Sequence, residues 1–526
     1  MFKKPNIQRN WQFLIIFLLA IGIFFRCYNL EQKVYWHDEV YTSIRTAGYS
    51  GKEVINETFT GQIIQPDYLL KYQQVNSVKS WRDSIDKLIE HPEHPPLYYL
   101  LSRFWQLLWG SSISATRSLS VFFSILLLPL VYWFCSELFE NSPVGWWAIG
   151  IVAISPVQVL YAQEAREYAL LLVTTTLSYG ALIGAIKRNN WRWWLFYILS
   201  LTANLYVSLI SCFVAIAQAA YVVVLEKFRL TKTTVNFFIS GTIAVVLFSP
   251  WLWVIYTRWN TLKAKTSWTN MSRPFFEMLR FWELHLSSIF VDFHPTINSD
   301  IAVRIAGFLV IFVSICYQYV YLKTKPQTWL LLGTMITIPA IFLILPDLIN
   351  GGIKSTMTRY FLPTILGIQI TVAYWLTKFK TKKNWTFSSV ICLIVFSGII
   401  SCGISAQANT WWNKVVGYQN HEIAAIINEY SKPLLIANTQ VINNNHDVNV
   451  GNLISLSHLL DRDVKLLLFQ NDNIPLLNSF EYDNILLWNM SQDSRIRFQR
   501  VNNCELSLVA GNYDSVLWQV QTRAKK

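Results

Sequence analysis

The sequence predicts an all-α polytopic membrane protein with a small C-terminal α/β domain. Three observations predict it. Of 526 residues, 53% are hydrophobic and only 14% charged, against about 25% charge in an ordinary soluble domain. Long apolar segments recur at 11–29, 117–136, 144–162, 165–186, 191–207, 209–226, 234–256, 302–322, 328–346, 358–377 and 386–404. Each approaches the ~20 residues a spanning helix needs, which makes about eleven spans. After residue 405 the pattern changes. "KPLLIAN", "VKLLLFQ" and "NILLWNM" read as short buried strands, with the helical patterns "HEIAAIINEY" and "NLISLSHLLDRD" between them. That alternation predicts a partly parallel sheet, and "NCELSLVAG" with "SVLWQVQ" adds a hairpin.

The first apolar segment follows "MFKKPNIQRN" and lacks a small-residue cleavage site behind it. It therefore reads as an uncleaved helix with a cytoplasmic N-terminus. "PPLYYLLSRFWQLLWG", 95–110, is shorter and carries Arg103 in its middle. The basic links "KRNNWR", "EKFRLTK", "KTKPQ" and "KFKTKK" fall together on the cytoplasmic side only if this segment does not cross. It is placed as a juxtamembrane or re-entrant helix on the outer side; the acidic link "SELFENSP" is the one dissenter. The outer face then receives the loops 31–116 and 257–301, the turn near 163–164, the loop 347–357 and the domain 406–526. The membrane domain is 1–405. The Lys and Arg behind the net charge of +13 cluster in short links between apolar segments, which points to topology rather than to nucleic acid. Seven scattered cysteines without a CxxC spacing form neither a disulfide framework nor a metal finger. No GxGxxG or Walker pattern supports nucleotide binding.

Most sequence able to carry chemistry lies in those outer segments. Asp38 and Glu39 sit in "VYWHDEVYTS" just after the first span. Carboxylates at that depth are costly unless they are used or paired, and one of them can act as a general base. In "PEHPPLYYLL", Glu93 and His94 precede a helix opened by two prolines, a position that suits capping, a metal or a phosphate. In "SPVQVLYAQEAREYALLL", Glu164 and Glu167 share a face if the helix has begun there, with Arg166 pointing elsewhere. In "GGIKSTMTRYFLP", Arg359 suits bidentate phosphate binding, Lys354 is a second cation, and Tyr360 can stack on a sugar. The loop 257–301 holds His285 and His294, and its "WELHLSSIF" reads as an interfacial amphipathic segment.

Their order along the chain is more telling than any one of them. A first span followed by "HDE", then "HPPLYYLL", "RSLSVFFSILLLPLVY", "SPVQVLYAQEAREYALLL" and late in the membrane "TRYFLP" resembles the polyprenyl-phosphate-sugar-dependent glycosyltransferases of the GT-C fold. The likeness is to the bacterial branch related to protein O-mannosyltransferases and lipid A aminoarabinose transferases. It covers about residues 10–380 and leaves out the 406–526 tail.

The resemblance implies an inverting glycosyltransferase, moving a hexosyl or pentosyl unit from a polyprenyl-phosphate donor to a lipid, glycan or protein acceptor. Asp38 would be the catalytic base, completed by Glu39, with Glu164 the second outer acid; this chain has "QEAR" where other branches carry an Asp. Arg359, Arg166 and Lys354 would bind the donor phosphate. His37, His94, Tyr161 and Tyr360 would contact sugar or acceptor, and Tyr35, Trp36 and Tyr41 would form a rim that excludes water. Glu93 with His285 or His294 would hold a divalent metal, as in the aminoarabinose branch. The bacterial likeness puts the chain in a bacterial plasma (inner) membrane, with no nucleic-acid partner. The alternatives are a polytopic flippase or transporter, a membrane anchor for the soluble tail, and an oligosaccharide-transferring enzyme of the same fold. A transporter would show inverted repeats and broken helices in matching halves, and the sequence has neither.

Overall fold

The computed structural model describes residues 9–139, 143–293, 296, 300–377, 385–439, 446–470, 473–477, 482–512 and 515–522. The chain forms two compact units. One comprises 1–30, 88–98 and 117–407; the other comprises 31–87, 99–116 and 408–526.

The first unit is helical, and each of the eleven apolar segments contributes helix to it. Six helices are long and apolar enough to cross a membrane: Ile113–Phe139, Tyr168–Arg188, Lys232–Thr257, Ile305–Lys323, Pro326–Asn350 and Ser388–Gln407. Val144–Ile154 and Pro156–Ala162 together make a further candidate, bent by 63°. Trp11–Cys27 and Ser211–Leu225 are apolar but shorter; Trp191–Val207 and Leu362–Leu376 have 17 and 15 residues. The chain is a multi-pass membrane protein.

The bend has a local cause. Ser155 is extended and Pro156 opens the second half-helix, because a residue before proline is pushed out of the helical region. Ending a helix inside a membrane strands its last carbonyls. Arg26 meets that need. Its guanidinium is fully buried and donates to the carbonyls of Val152 at 2.9 Å and Ala153 at 2.5 Å, to Gly22 O, and to Ser124 Oγ. Gly22 is required for this approach, since a Cβ there would lie 2.3 Å from the Ala153 oxygen. On the other side of the break, Ser155 Oγ donates to Ile289 O at 2.8 Å. Gln369 donates to Ser155 Oγ at 2.9 Å, and Gln158 to the Gln369 side chain at 3.1 Å. The start of the Pro156–Ala162 half-helix is thus fixed by polar contacts from two other segments.

The second unit is built on a six-stranded sheet: β1 (Thr60–Ile64), β2 (Leu434–Asn438), β3 (Lys465–Phe469), β4 (Ile485–Trp488), β5 (Cys504–Asn512) and β6 (Ser515–Thr522), in the order β1-β3-β2-β4-β6-β5. The centre β3-β2-β4 is parallel; β1, β6 and β5 join antiparallel. The central strands are buried along almost their whole length, as parallel strands covered on both faces are. Leu434, Ile436, Leu467, Phe469, Ile485 and Leu487 pack on one face with Phe498, and the alternate residues take the other.

One sequence expectation needs revision here. The sheet is not confined to 406–526, because β1 comes from the loop 31–116 and extends one edge of it. "TGQII" gave no strand signal: four of its five residues are exposed, and Gly61 is left-handed at φ +79°. The segment 95–110 does form a helix, Leu97–Trp109, of 13 residues. Its central Arg103 is buried and donates to Thr46 O at 2.9 Å, Ser84 Oγ at 3.0 Å and Lys79 O. The charge in the middle of an apolar helix therefore closes the C-terminal end of the helix His37–Ala47.

Candidate functional site

Asp38 and Glu39 open the helix His37–Ala47, where the free N–H groups and the dipole favour negative charge. The structure gives the two acids different surroundings. Glu39 is fully buried, and its Oε2 lies 3.4 Å from Nζ of Lys414, which is itself 1% exposed. The ammonium also lies 5.1 Å from the Trp36 ring centroid. Asp38 stays half-exposed, while its backbone carbonyl accepts from Thr42 Oγ1 at 3.0 Å. The nearby aromatics are buried and do not form a surface rim. Tyr35 bonds Ser43 Oγ at 2.5 Å, and Tyr41 packs against His37 and under Arg45. Sequence reasoning missed Lys414. Its signal was a cation in the middle of "TWWNKVVGY", a stretch otherwise without charge.

In the first unit the expected residues converge around two tyrosines. The turn 163–167 joins Pro156–Ala162 to Tyr168–Arg188, with Glu167 as N-cap of the second helix. Helix has not begun at Glu164, so Glu164 and Glu167 do not share a helical face. Arg166 pairs with its neighbour Glu167, Nε to Oε2 at 3.3 Å, and both are buried. The turn is anchored from both sides. Gln163 donates to the carbonyls of Phe25 and Tyr28, and Ser120 Oγ donates to Arg166 O at 3.2 Å. Tyr161 and Tyr168 stand edge to face at 5.6 Å. The Tyr161 hydroxyl faces Thr358 and the Arg359 backbone, with Glu164 and the Arg359 guanidinium in electrostatic reach. Tyr168 is within reach of Arg359, Arg166 and Glu167, and of Tyr360. Arg359 and Tyr360 are half-buried on the 3-10 turn Thr358–Phe361 that leads into Leu362–Leu376. Two arginines and two acids thus gather where two membrane helices begin.

The approach to Arg359 is a pinned loop. Gly351 and Gly352 have φ of +73° and +146°, Ile353 N donates to Thr269 O at 2.9 Å, and Ser355 N donates to Asp347 Oδ2 at 2.6 Å. His285 supports the same loop: its Nε2 donates to Thr356 O at 3.1 Å and its ring packs on Phe361. Burial holds its pKa down to about 3, so the imidazole is neutral. Lys354 is exposed, and no described contact joins it to the arginines.

Among the described residues, Glu93 and His285 are not part of a metal-holding group. Glu93 lies 3.2 Å from His91 Nδ1 and 3.8 Å from His94 Nε2. His285 already spends Nε2 on Thr356, and His294 lies outside the described residues. Among the described residues, no group of three or more His, Cys, Asp or Glu is placed to hold a metal ion.

Residues 93–254 match the family of dolichyl-phosphate-mannose-protein mannosyltransferases. The fold is similar to ArnT from Cupriavidus metallidurans. The structure of that protein bound to undecaprenyl phosphate aligns over 97% of this chain and 98% of its own, at 11% identity and a TM-score of 0.50. Its apo structure aligns over the same shares at 10% identity and 0.53. No curated protein matches the sequence. The chain has the GT-C fold of membrane glycosyltransferases. Residues 93–254 are similar to the protein mannosyltransferases, and the fold is similar to that of ArnT.

Proposed function

We propose that this protein is an inverting glycosyltransferase that moves a sugar from a polyprenyl phosphate to an acceptor hydroxyl. The observation that carries this is the gathering of Arg359 and Arg166 about the Tyr161–Tyr168 pair at the start of two membrane helices. That arrangement suits a phosphate whose hydrocarbon tail stays in the bilayer, and ArnT of the same fold has been crystallised with undecaprenyl phosphate.

The chemistry balances with groups of this chain. The acceptor O–H gives its proton to the Asp38 carboxylate as its oxygen bonds to the anomeric carbon from the face opposite the phosphate. The bond from that carbon to the phosphate oxygen breaks, and the lipid phosphate takes the electron pair. It leaves as an anion, so it needs cations rather than a general acid, and Arg359 with Arg166 supplies them. Glu39, neutralised by Lys414, holds the first turn on which Asp38 rides. Glu164 and Tyr360 contact the sugar, with Lys354 a more distant cation. The working site is placed on the outer side of a bacterial inner membrane, and the acceptor is a lipid, glycan or protein hydroxyl.

The test is transfer from labelled polyprenyl-phosphate sugars in membranes holding the chain or its Asp38→Asn variant at equal abundance. Transfer that the variant lowers by about a hundredfold or more supports the assignment, and the labelled product identifies the acceptor. Equal transfer by the variant removes Asp38 as base. No transfer from any donor of this class removes the function.

A further inference from the structure

The loop that delivers Arg359 is held by a buried carboxylate. Asp347 lies in the last turn of Pro326–Asn350, with 4% of its surface exposed. Both facts count against a carboxylate there. Burial strips a charge of its hydration. The C-terminal end of a 25-residue helix presents free carbonyls and the negative end of the dipole. A carboxylate at that place needs contacts that offset both effects, and those it makes are with the loop that follows. Ser355 N donates to Asp347 Oδ2 at 2.6 Å, in a buried bond. It is charge-assisted and short for an N–H donor. Asp347 Oδ1 lies against Gly352: a Cβ there would collide with it, and the φ of +146° itself favours glycine. The carboxylate therefore holds the loop at two points three residues apart.

That hold reaches Arg359 through hydrogen-bonded backbone. Thr356 N donates to Ile353 O at 3.1 Å, Met357 N to Lys354 O at 3.2 Å, and Tyr360 N to Met357 O at 3.0 Å. The 3-10 turns Lys354–Thr356 and Thr358–Phe361 follow each other with one residue between them. Ser355 and Arg359 are about 8 Å apart at the rise of such turns. Two further ties act on the loop, from Thr269 O to Ile353 N and from His285 Nε2 to Thr356 O. Both join neutral groups. A bond to an ionised acceptor is roughly twice as strong, so Asp347 supplies the strongest of the three.

We infer that Asp347 is a positioning residue for phosphate binding: it fixes the turn that carries Arg359 and so sets the affinity for the polyprenyl phosphate. The inference rests on the proposed reading of Arg359 as a ligand of that phosphate. A guanidinium fork binds phosphate bidentately only within a narrow geometry. A loop released at Ser355 spreads the fork over many positions. Affinity falls as a result, while the Thr269 and His285 ties still keep the loop in place.

The experiment is titration of the delipidated full-length chain with undecaprenyl phosphate, read as a dissociation constant by native mass spectrometry. It needs no transfer reaction. Arg359→Gln should weaken binding, and Asp347→Leu should raise the dissociation constant by about tenfold. Asp347→Leu should add no further loss to Arg359→Gln. Asp347→Asn still offers an oxygen to Ser355 N and should recover most of the affinity. A residue that only stabilised the fold would lower the number of competent molecules at an unchanged dissociation constant, and that result overturns the inference. Should Asp347→Leu not fold, Gly352→Ala displaces the same carboxylate and should weaken binding likewise; unchanged affinity there also overturns it. If Arg359→Gln binds as the parent does, the phosphate reading fails and the inference with it. If Arg359→Gln loses affinity and Asp347→Leu keeps it, the phosphate reading stands and the positioning role falls.

Discussion

Glu39 and Lys414 show how a single charge is tolerated away from water. Each is nearly inaccessible, and each neutralises the other. Removing one partner leaves a buried charge, which costs about 3–5 kcal/mol. Lys414→Met should therefore lower the thermal midpoint strongly, while Lys414→Met combined with Glu39→Gln should recover much of it. Melting of the three variants beside the parent checks this, and additive losses would show the pair to be uncoupled. His285 gives a pH dependence. Its pKa is about 3 in the folded chain against an ordinary 6.5. Between those values the unfolded chain binds a proton that the folded chain refuses, so stability falls as pH drops through that window. His285→Gln keeps a donor toward Thr356 and should flatten the thermal midpoint between pH 7 and pH 5. At this scale Asp38, Glu164, Arg166 and Arg359 stand out in the sequence as candidates, because charge beside apolar runs is expensive. The different fates of Asp38 and Glu39 were not, because they depend on Lys414, which lies nearly four hundred residues away.

Among the elements, the apolar helices and the strands β2, β3 and β4 were legible because their burial is written in continuous apolar runs. The bend at Ser155 was half-legible: Pro156 marks it, but the segment 144–162 reads as one span. Nothing nearby in sequence announced that Arg26 would cap the break, since an arginine at the end of an apolar run reads as a boundary. Arg26→Met should cost about 1–3 kcal/mol for each stranded carbonyl, with the loss seen in thermal melting. Gly22→Ala should destabilise through the same contact by forcing the first helix away from Ala153. A Gly22→Ala variant as stable as the parent would mean that the close approach is not needed. The failure to foresee β1 is of the opposite kind. A short, mostly exposed edge strand carries little pattern of its own, and its identity rests on the partner β3.

Across the whole molecule, the sheet-bearing unit is assembled from three separate stretches of chain. The segment after residue 407 supplies β2 to β6 and Lys414, while the segment before residue 88 supplies β1 and Glu39. A chain truncated after residue 407 should therefore lose more than a tail, since it leaves Glu39 without its cation and β1 without a neighbour. Such a truncation should accumulate poorly and be cleaved within 31–116, as limited proteolysis of membranes would show. Full accumulation with intact 31–116 would mean that this segment folds by itself. The same arrangement sets a timetable for biogenesis. Thr60 pairs with Phe469, some four hundred residues later, so at ordinary synthesis rates β1 waits on the order of tens of seconds for its partner. During that interval the helix carrying Asp38 lacks Lys414 as well. The sheet-bearing unit is thus incomplete until the last fifth of the chain has emerged, and quality control has a long window in which to act on it.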